Sequence, residues 1–257
     1  MKKKAKERMI SVISVLIIIT VWFLATNLNW VSSVFVPSPQ RVINVFIVIL
    51  TDGYQGVSFF THLFSSLRRL FIAFIIASVV GVPLGLLSGY NGKVRAFVEP
   101  IIGFCRPLPP LAYYTLLILW IGIGDTSKIT LLFIAAFAPM YLACVSAVLS
   151  VKKSYIDSAL MLGASKWQVL IKVLFPACLP GILTGIRTGV GAAYTTLVAA
   201  EMVAAISGIG WMTIDASRFL RNEIVFLGII VMGITGILID GLLKLIEHML
   251  IPWQGKD

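Results

Sequence analysis

The stretch DSALMLGASKWQVLIKVLFP, from Asp157 to Pro176, interrupts a chain that is otherwise close to continuously apolar. Its residue types suit mechanical contact better than bond making. Ser154 with Asp157 resembles a capping box with a shorter acid. Ile156, Ala159, Leu160 and Gly163 recur at helical spacing and make a narrow apolar stripe. Gly163 then ends or bends the helix, and a second amphipathic piece, Ser165–Leu174, runs to Pro176, where the next apolar segment begins. A short helix with small residues on its face suits insertion into a partner's groove. The plainer reading is a connector lying on lipid headgroups.

A second set of candidates is charged. Arg187 and Glu201 lie inside one apolar run. An ionisable group in hydrocarbon is costly unless it is paired or wet. The two are fourteen residues apart, about 21 Å along a straight helix at ~1.5 Å per residue, so they cannot pair with each other. Ion pairs between helices are one solution, Arg187 with Asp240 or Glu99 and Glu201 with Arg106. A water-filled pathway is the other. Just after Arg106, Pro107, Pro109 and Pro110 remove backbone donors and break a helix. Such a break is tolerated where the backbone faces protein or a wet cavity.

Other chemistries find no support. No GxxxxGK[ST] phosphate loop occurs, so a separate chain must bind any ATP that is used. No Ser/His/Asp or Cys/His pattern is defensible, and His62 and His248 lack partners at ligand spacing. Cys105, Cys144 and Cys178 show no paired spacing and read as small hydrophobes. Neither a catalytic residue nor a metal nor a cofactor is expected.

Membrane helices must position these groups. Of 257 residues, 59% are hydrophobic and 12% charged, against about 45–50% and 25% in soluble domains. Six candidate spans follow: Ile10–Leu28, Leu70–Leu87 with an upstream extension through SSLRR, Ala96–Ile123 broken by its prolines, Ile129–Leu149, Cys178–Met202 and Ile224–Leu245. The runs are unbroken rather than alternating, so the spans are helices. The expected fold is all-α, a polytopic membrane protein with about six transmembrane helices. Pro37–Leu50 reads as a short amphipathic helix over the outer surface. The Ser207–Arg221 loop is a candidate docking surface, although its Trp211 and Phe219 equally suit interfacial anchoring. Gly181, Gly185 and Gly189 in the fifth span, and Gly81 and Gly85 in the second, allow close backbone approach. That approach serves packing within one subunit, or a pathway or dimer axis.

The net charge of +10 follows topology rather than nucleic-acid binding. With the N-terminus inside, thirteen Lys and Arg fall on inner pieces, including Lys2, Lys3, Lys4, Lys6, Arg8, Lys152, Lys153, Lys166, Lys172 and Lys256. Only Arg41, Lys128, Arg218 and Arg221 fall on outer ones. This is the positive-inside asymmetry, and the basic ends also suit anionic lipid. MKKKAKER suits a signal peptide, but the apolar run after it exceeds the usual h-region of about 7–15 residues and no small-x-small site follows, so a retained first helix is expected. The chain divides into 1–62 (cytoplasmic tail, first helix, outer amphipathic segment), a core of 63–250 with loop 152–176, and a tail of 251–257.

The loop resembles the coupling loop of binding-protein-dependent ABC importer permeases: EAA, three residues, Gly, nine residues, then I-x-L-P. Here Asp157-Ser158-Ala159 stands for EAA, Gly163 follows at the right distance, and Val173-Leu174-Phe175-Pro176 closes it. The departures are Asp for Glu, Ser for Ala, Val for Ile and Phe for Leu. CRPLPPLAYYTLLILWIGIGDTSKI (105–129) and LPGILTGIRTGVGAAYTTLVAAEMVAA (179–205) resemble the third and fifth spans of the sulfonate, nitrate and taurine branch. GIGWMTIDASRFLRNEIVFLGII and the closing IPWQGK are most like taurine permeases. The resemblance implies a type I ABC importer permease fold in an inner membrane, both termini cytoplasmic. It implies a homodimer, two ATPase subunits and a periplasmic or lipid-anchored substrate-binding protein. It assigns ATPase coupling to Asp157, Ser158, Ala159, Leu160, Gly163 and Pro176. It also suggests a pathway near Arg187, Glu201, Arg106, Pro107 and Pro110, with Arg187 toward a sulfonate and Glu201 toward an ammonium or the binding protein. Alkanesulfonate or nitrate are the alternative substrates, and a stand-alone secondary transporter the alternative class.

Overall fold

The computed structural model describes the backbone of residues 2–251 and the side chains of Lys6 and of residues 9–251. Of the tail expected over 251–257, all but Ile251 lies outside the described residues, Lys256 and the rest of IPWQGK included, as do the side chains of Lys2, Lys3, Lys4 and Arg8. In chain order the helices are α1 (Lys2–Asn27), α2 (Pro39–Asp52), α3 (Phe59–Tyr90), α4 (Gly92–Cys105), α5 (Pro110–Ile121), α6 (Asp125–Ser150), α7 (Lys153–Met161), α8 (Lys166–Gln168), α9 (Phe175–Ala204), α10 (Ile209–Arg218) and α11 (Asn222–Leu250), with a π-helical turn, Val169–Leu174, between α8 and α9.

Five helical segments are long and apolar enough to cross a membrane: Met9–Asn27, Phe59–Tyr90, Asp125–Ser150, Lys166–Ala204 and Asn222–Leu250. α4 and α5 make a sixth span only if counted together, and they meet at 99°. The segment expected as one proline-broken helix, 96–123, is therefore two short helices at nearly a right angle. Pro109 and Pro110 cannot donate to the preceding turn, so the helix starts anew at Pro110. The amphipathic segment expected at 37–50 is α2, whose Val42 and Ile49 are buried against Phe59, Met212, Ala216 and Leu227. Ser38, Ser58 and Asn91 cap α2, α3 and α4 with their side chains.

α6 is clamped between α3 and α9, and the glycine ladders explain how. A Cβ at Gly85 would lie 2.6 Å from Cys144 Cβ and 2.8 Å from the Tyr141 carbonyl of α6. At Gly189 it would lie 2.6 Å from Met140 Cγ and 2.8 Å from the Ala136 carbonyl. Both ladders thus pack within one chain, the first of the two readings open from sequence. Gly189→Ala is expected to lower thermal stability by about 1–3 kcal/mol, because the wall it meets includes backbone. Gly233→Ala on α11 meets nothing within 4 Å and is expected to be neutral or stabilising. Melting curves of the two purified variants decide this, and equal midpoints would refute the clamp.

The chain direction puts α2, α10 and the 53–57 turn at one end of the bundle and α7 at the other. At the α10 end the Tyr54 hydroxyl donates to Asp215 Oδ2 at 2.8 Å. Burial, and then the carboxylate, push the Tyr54 phenol up to about 12.

Candidate functional site

α7 is nine residues long and starts without a side-chain cap. The capping box expected from Ser154 and Asp157 does not form. One forms instead at the start of α8: Ser165 N–H donates to Gln168 Oε1 at 2.7 Å, and Gln168 N–H to Ser165 Oγ at 3.3 Å. α7 ends as expected at Gly163. Gly163 has φ +85°, its N–H bonds the Leu160 carbonyl, and Ala164 N–H reaches back to Ala159. This is a Schellman motif, and the left-handed position at its corner favours glycine.

The faces of α7 divide unexpectedly. Ile156 and Ala159 are half-buried against the cluster of Val169, Leu174, Cys178 and Leu86 on the same chain. The free apolar surface is Tyr155, Leu160, Met161 and Leu162, the last two 88% and 89% exposed. Ser158 shares that exposure, while Asp157 is half-buried. Large side chains at the tip of a polar helix are an unpartnered contact surface. Sequence reasoning missed Met161 and Leu162 because periodicity shows which side is apolar, not what already covers it.

Behind α8 the backbone widens into the π turn, where Phe175 N–H reaches Leu170 O. Pro176, within the first turn of α9, has no N–H, and its ring would crowd a carbonyl one α-turn back. A wider turn relieves this contact. The lever, α7 to α8, is thus joined to α9 through an irregular joint and to α6 through the two-residue link Val151–Lys152.

The charged candidates resolve into distinct environments. Arg187 donates to Glu247 at 2.9 Å and to Asp240 at 3.1 Å, both on α11. Of the ion-pair partners open from sequence this selects Asp240 and adds Glu247. Glu201 is enclosed, 1% exposed, and pairs with Arg69 at 2.7 Å rather than with Arg106. Ser66 Oγ (2.8 Å) and Gly210 N–H (3.0 Å) complete its shell. Arg69 also holds Asp125 at 2.7 Å and the Ser207 carbonyl at 2.8 Å; Arg68 pairs with Asp125 as well. Lys128, expected on an outer loop, is buried here with Nζ on the Gly124 carbonyl. His62, beside this cluster, is stacked on Trp211; its Nδ1 accepts from Gly208 N–H, which leaves Nε2 to donate to Tyr54 O. Arg106 and Pro110 line a different space, a cavity of about 480 Å³ between the α4–α5 break, α6 and α9. Arg187 borders a third, an apolar groove of about 590 Å³ between α3, α9 and α11. The structure does not bring Arg106 and Glu201 together.

The loop expected over 207–221 is mostly α10, with Ile209, Met212 and Ala216 buried. Its exposed part is Arg218 to Arg221.

A bundle of helices long and apolar enough to span a membrane, with cavities between them and a polar helix projecting from one end with its apolar tip uncovered, suits a membrane permease. Residues 81–251 match the family described as binding-protein-dependent transport system inner membrane component. The chain belongs to that family. As a permease component it is not an enzyme. Its relatives include the taurine transport system permease protein TauC of Escherichia coli, 39% identical over 253 residues, covering 98% of this chain and 92% of the relative. The putative aliphatic sulfonates transport permease protein SsuC of Bacillus subtilis is 32% identical over 93% of this chain and 86% of its own. The nitrate import permease protein NrtB of Synechocystis is 29% identical over 80% of this chain and 74% of its own. Among solved structures, an inward-facing form of the MetNI methionine ABC transporter aligns with a TM-score of 0.63 at 19% identity, covering 80% of this chain and 98% of the other. The fold is that of a type I ABC importer permease.

Proposed function

We propose that this protein is the permease subunit of an ABC importer that carries taurine or a related small sulfonate across the inner membrane, driven by ATP hydrolysis in a partner ATPase. The single observation that carries the mechanism is the lever: Tyr155, Met161 and Leu162 stand uncovered on a helix fixed to the spans through Gly163 and the turn before Pro176. Asp157, Ser158, Ala159, Leu160, Gly163 and Pro176 form the coupling element. A separate ATPase grips this surface, and its closure swings α7 and the attached spans α6 and α9 as rigid bodies between inward- and outward-open states. The sulfonate assignment is supported by the extent of the TauC likeness. Nitrate or an alkanesulfonate is the second reading, supported by the likeness to NrtB and SsuC.

The pathway runs beside Arg106, Pro107 and Pro110, with Arg187 at the neighbouring groove. Glu201 reaches substrate only if its bond to Arg69 opens. Two copies of the chain close the pathway between them, and a periplasmic or lipid-anchored binding protein docks at the α10 end, where Arg218, Phe219, Leu220 and Arg221 are exposed. The α7 end faces the cytoplasm, as do both termini, because Lys152, Lys153, Lys166 and Lys172 crowd that end. In mild detergent the permease is expected to co-elute with its ATPase, and vesicles holding the whole complex to accumulate taurine only with ATP. Taurine uptake by the permease alone would instead make it a secondary transporter.

A further inference from the structure

Arg68, Arg69 and Arg187 each hold at least one carboxylate. Arg106 holds none among the described residues. The residue is exposed and lines the cavity of about 480 Å³ together with Tyr113, Ala192, Thr195 and Thr196. The depth of this cavity makes the absence significant. Thr195 lies nine residues before the end of α9 and twenty after its start, which is about 14 Å and 30 Å at ~1.5 Å per residue. An apolar layer is about 30 Å thick, so the Thr195 wall of the cavity lies at the membrane's interior depth, where an unpaired charge bordering it requires an anion or water. Glu99, the acid nearest in sequence, lies two turns back on α4 and does not bond it.

The hydroxyls around Arg106 have defined polarity. Thr195 and Thr196 both donate to the Ala192 carbonyl, at 3.0 and 2.8 Å. Their oxygens therefore offer lone pairs to the cavity and have no proton left to give. The Tyr113 hydroxyl has no partner among the described residues and is free to donate. No carboxylate lines the cavity.

We propose that Arg106 is the residue of the pathway that meets the anionic end of the substrate: its guanidinium and the Tyr113 hydroxyl take the sulfonate, and the Thr195 and Thr196 oxygens accept from an ammonium when the substrate carries one. This deepens the sulfonate-import reading and rests on it. With no carboxylate in the wall, the site reads the anion and leaves the amine optional, so amine-free sulfonates cross as readily once delivered.

Two measurements on the complete complex test this. In vesicles, Arg106→Gln is expected to reduce taurine uptake about tenfold or more, the scale of one lost charge-assisted bond. Arg106→Lys retains part of the rate, and co-elution of the ATPase shows that each variant assembles. Uptake by Arg106→Gln at the wild-type rate overturns the proposal. The second measurement needs no transport. In a Thr195→Cys variant, a sulfonate-bearing thiosulfonate reagent is expected to label that position about tenfold faster than its ammonium counterpart, with the site read by mass spectrometry. Adding Arg106→Gln abolishes this preference, and a preference that survives the change refutes the assignment. If the wild-type complex imports no sulfonate at all, the import reading fails, while the labelling preference still decides whether Arg106 attracts anions.

Discussion

Replacing Gly163 by valine is expected to stop ATP-driven uptake, while replacing it by asparagine is expected to leave most of it. The difference isolates why glycine stands there. Nothing lies within 4 Å of where a Cβ would be, so the chain itself has room for either side chain. What valine lacks is access to the backbone angle, φ +85°. An L-residue in the left-handed region loses about 1–2 kcal/mol, and asparagine is among the residues that visit it readily. With valine the corner relaxes, the bonds from Gly163 to Leu160 and from Ala164 to Ala159 open, and α7 no longer leaves the membrane at a fixed angle. On the proposed coupling, Met161 and Leu162 then miss the partner's groove. Gly163→Trp adds bulk on the partner's side and is expected to lose uptake completely. The readout is substrate uptake per ATP hydrolysed in vesicles. Normal uptake by Gly163→Trp would show that nothing grips the lever. Equal loss in valine and asparagine would show that bulk, not angle, is what the corner excludes.

Much of this architecture was legible as composition. The long spans are uninterrupted apolar runs, and no soluble alternative explains them. The same source failed wherever geometry depends on what a neighbour supplies. Pro107, Pro109 and Pro110 announce a break, but not the 99° angle between α4 and α5, where Val98 and Ile102 of α4 cluster with Tyr141 and Val145 of α6. Pro176 marks the start of a span, yet the π turn ahead of it leaves no signature in residue type. For the ion pairs, sequence supplies the charges without their partners. Arg69 and Asp125 are fifty-six positions apart, and Arg69 and Glu201 one hundred and thirty-two. Arg69 was visible only as part of SSLRR, read as an extension of the second span. A pair of arginines at the start of an apolar helix was itself a signal that carboxylates must converge on it, since neither is tolerated alone.

That convergence sets up the other large effect. Glu201→Gln keeps the size of the side chain and removes its charge, and most of the folded permease is expected to be lost with it. Ser66 Oγ, Arg69 Nη1 and Gly210 N–H all donate to this carboxylate, so the new amide presents its NH₂ to at least one donor. The charge balance suffers more. Arg69 bridges Asp125 and Glu201, Arg68 pairs with Asp125, and Lys128 lies beside them on the Gly124 carbonyl, so the substitution leaves three cations near one anion. Breaking a buried pair from one side costs about 3–5 kcal/mol. The loss is not local, because Arg69 ties α3 to the start of α6, the end of α9 and the Ser207 turn before α10. Gly208, where φ is +127°, packs directly on this carboxylate, and a Cβ there would fall on it. A double-mutant cycle of Arg69→Met and Glu201→Leu, read by thermal unfolding in detergent, is expected to give a coupling of about 0.5–3 kcal/mol. Both members are enclosed, with side chains 4% and 1% exposed, so the coupling should persist in high salt, where exposed pairs are screened. Unfolding of Glu201→Gln at the wild-type midpoint would mean that the cluster does not hold the α10 end together, and that Glu201 is free to leave Arg69 for the pathway.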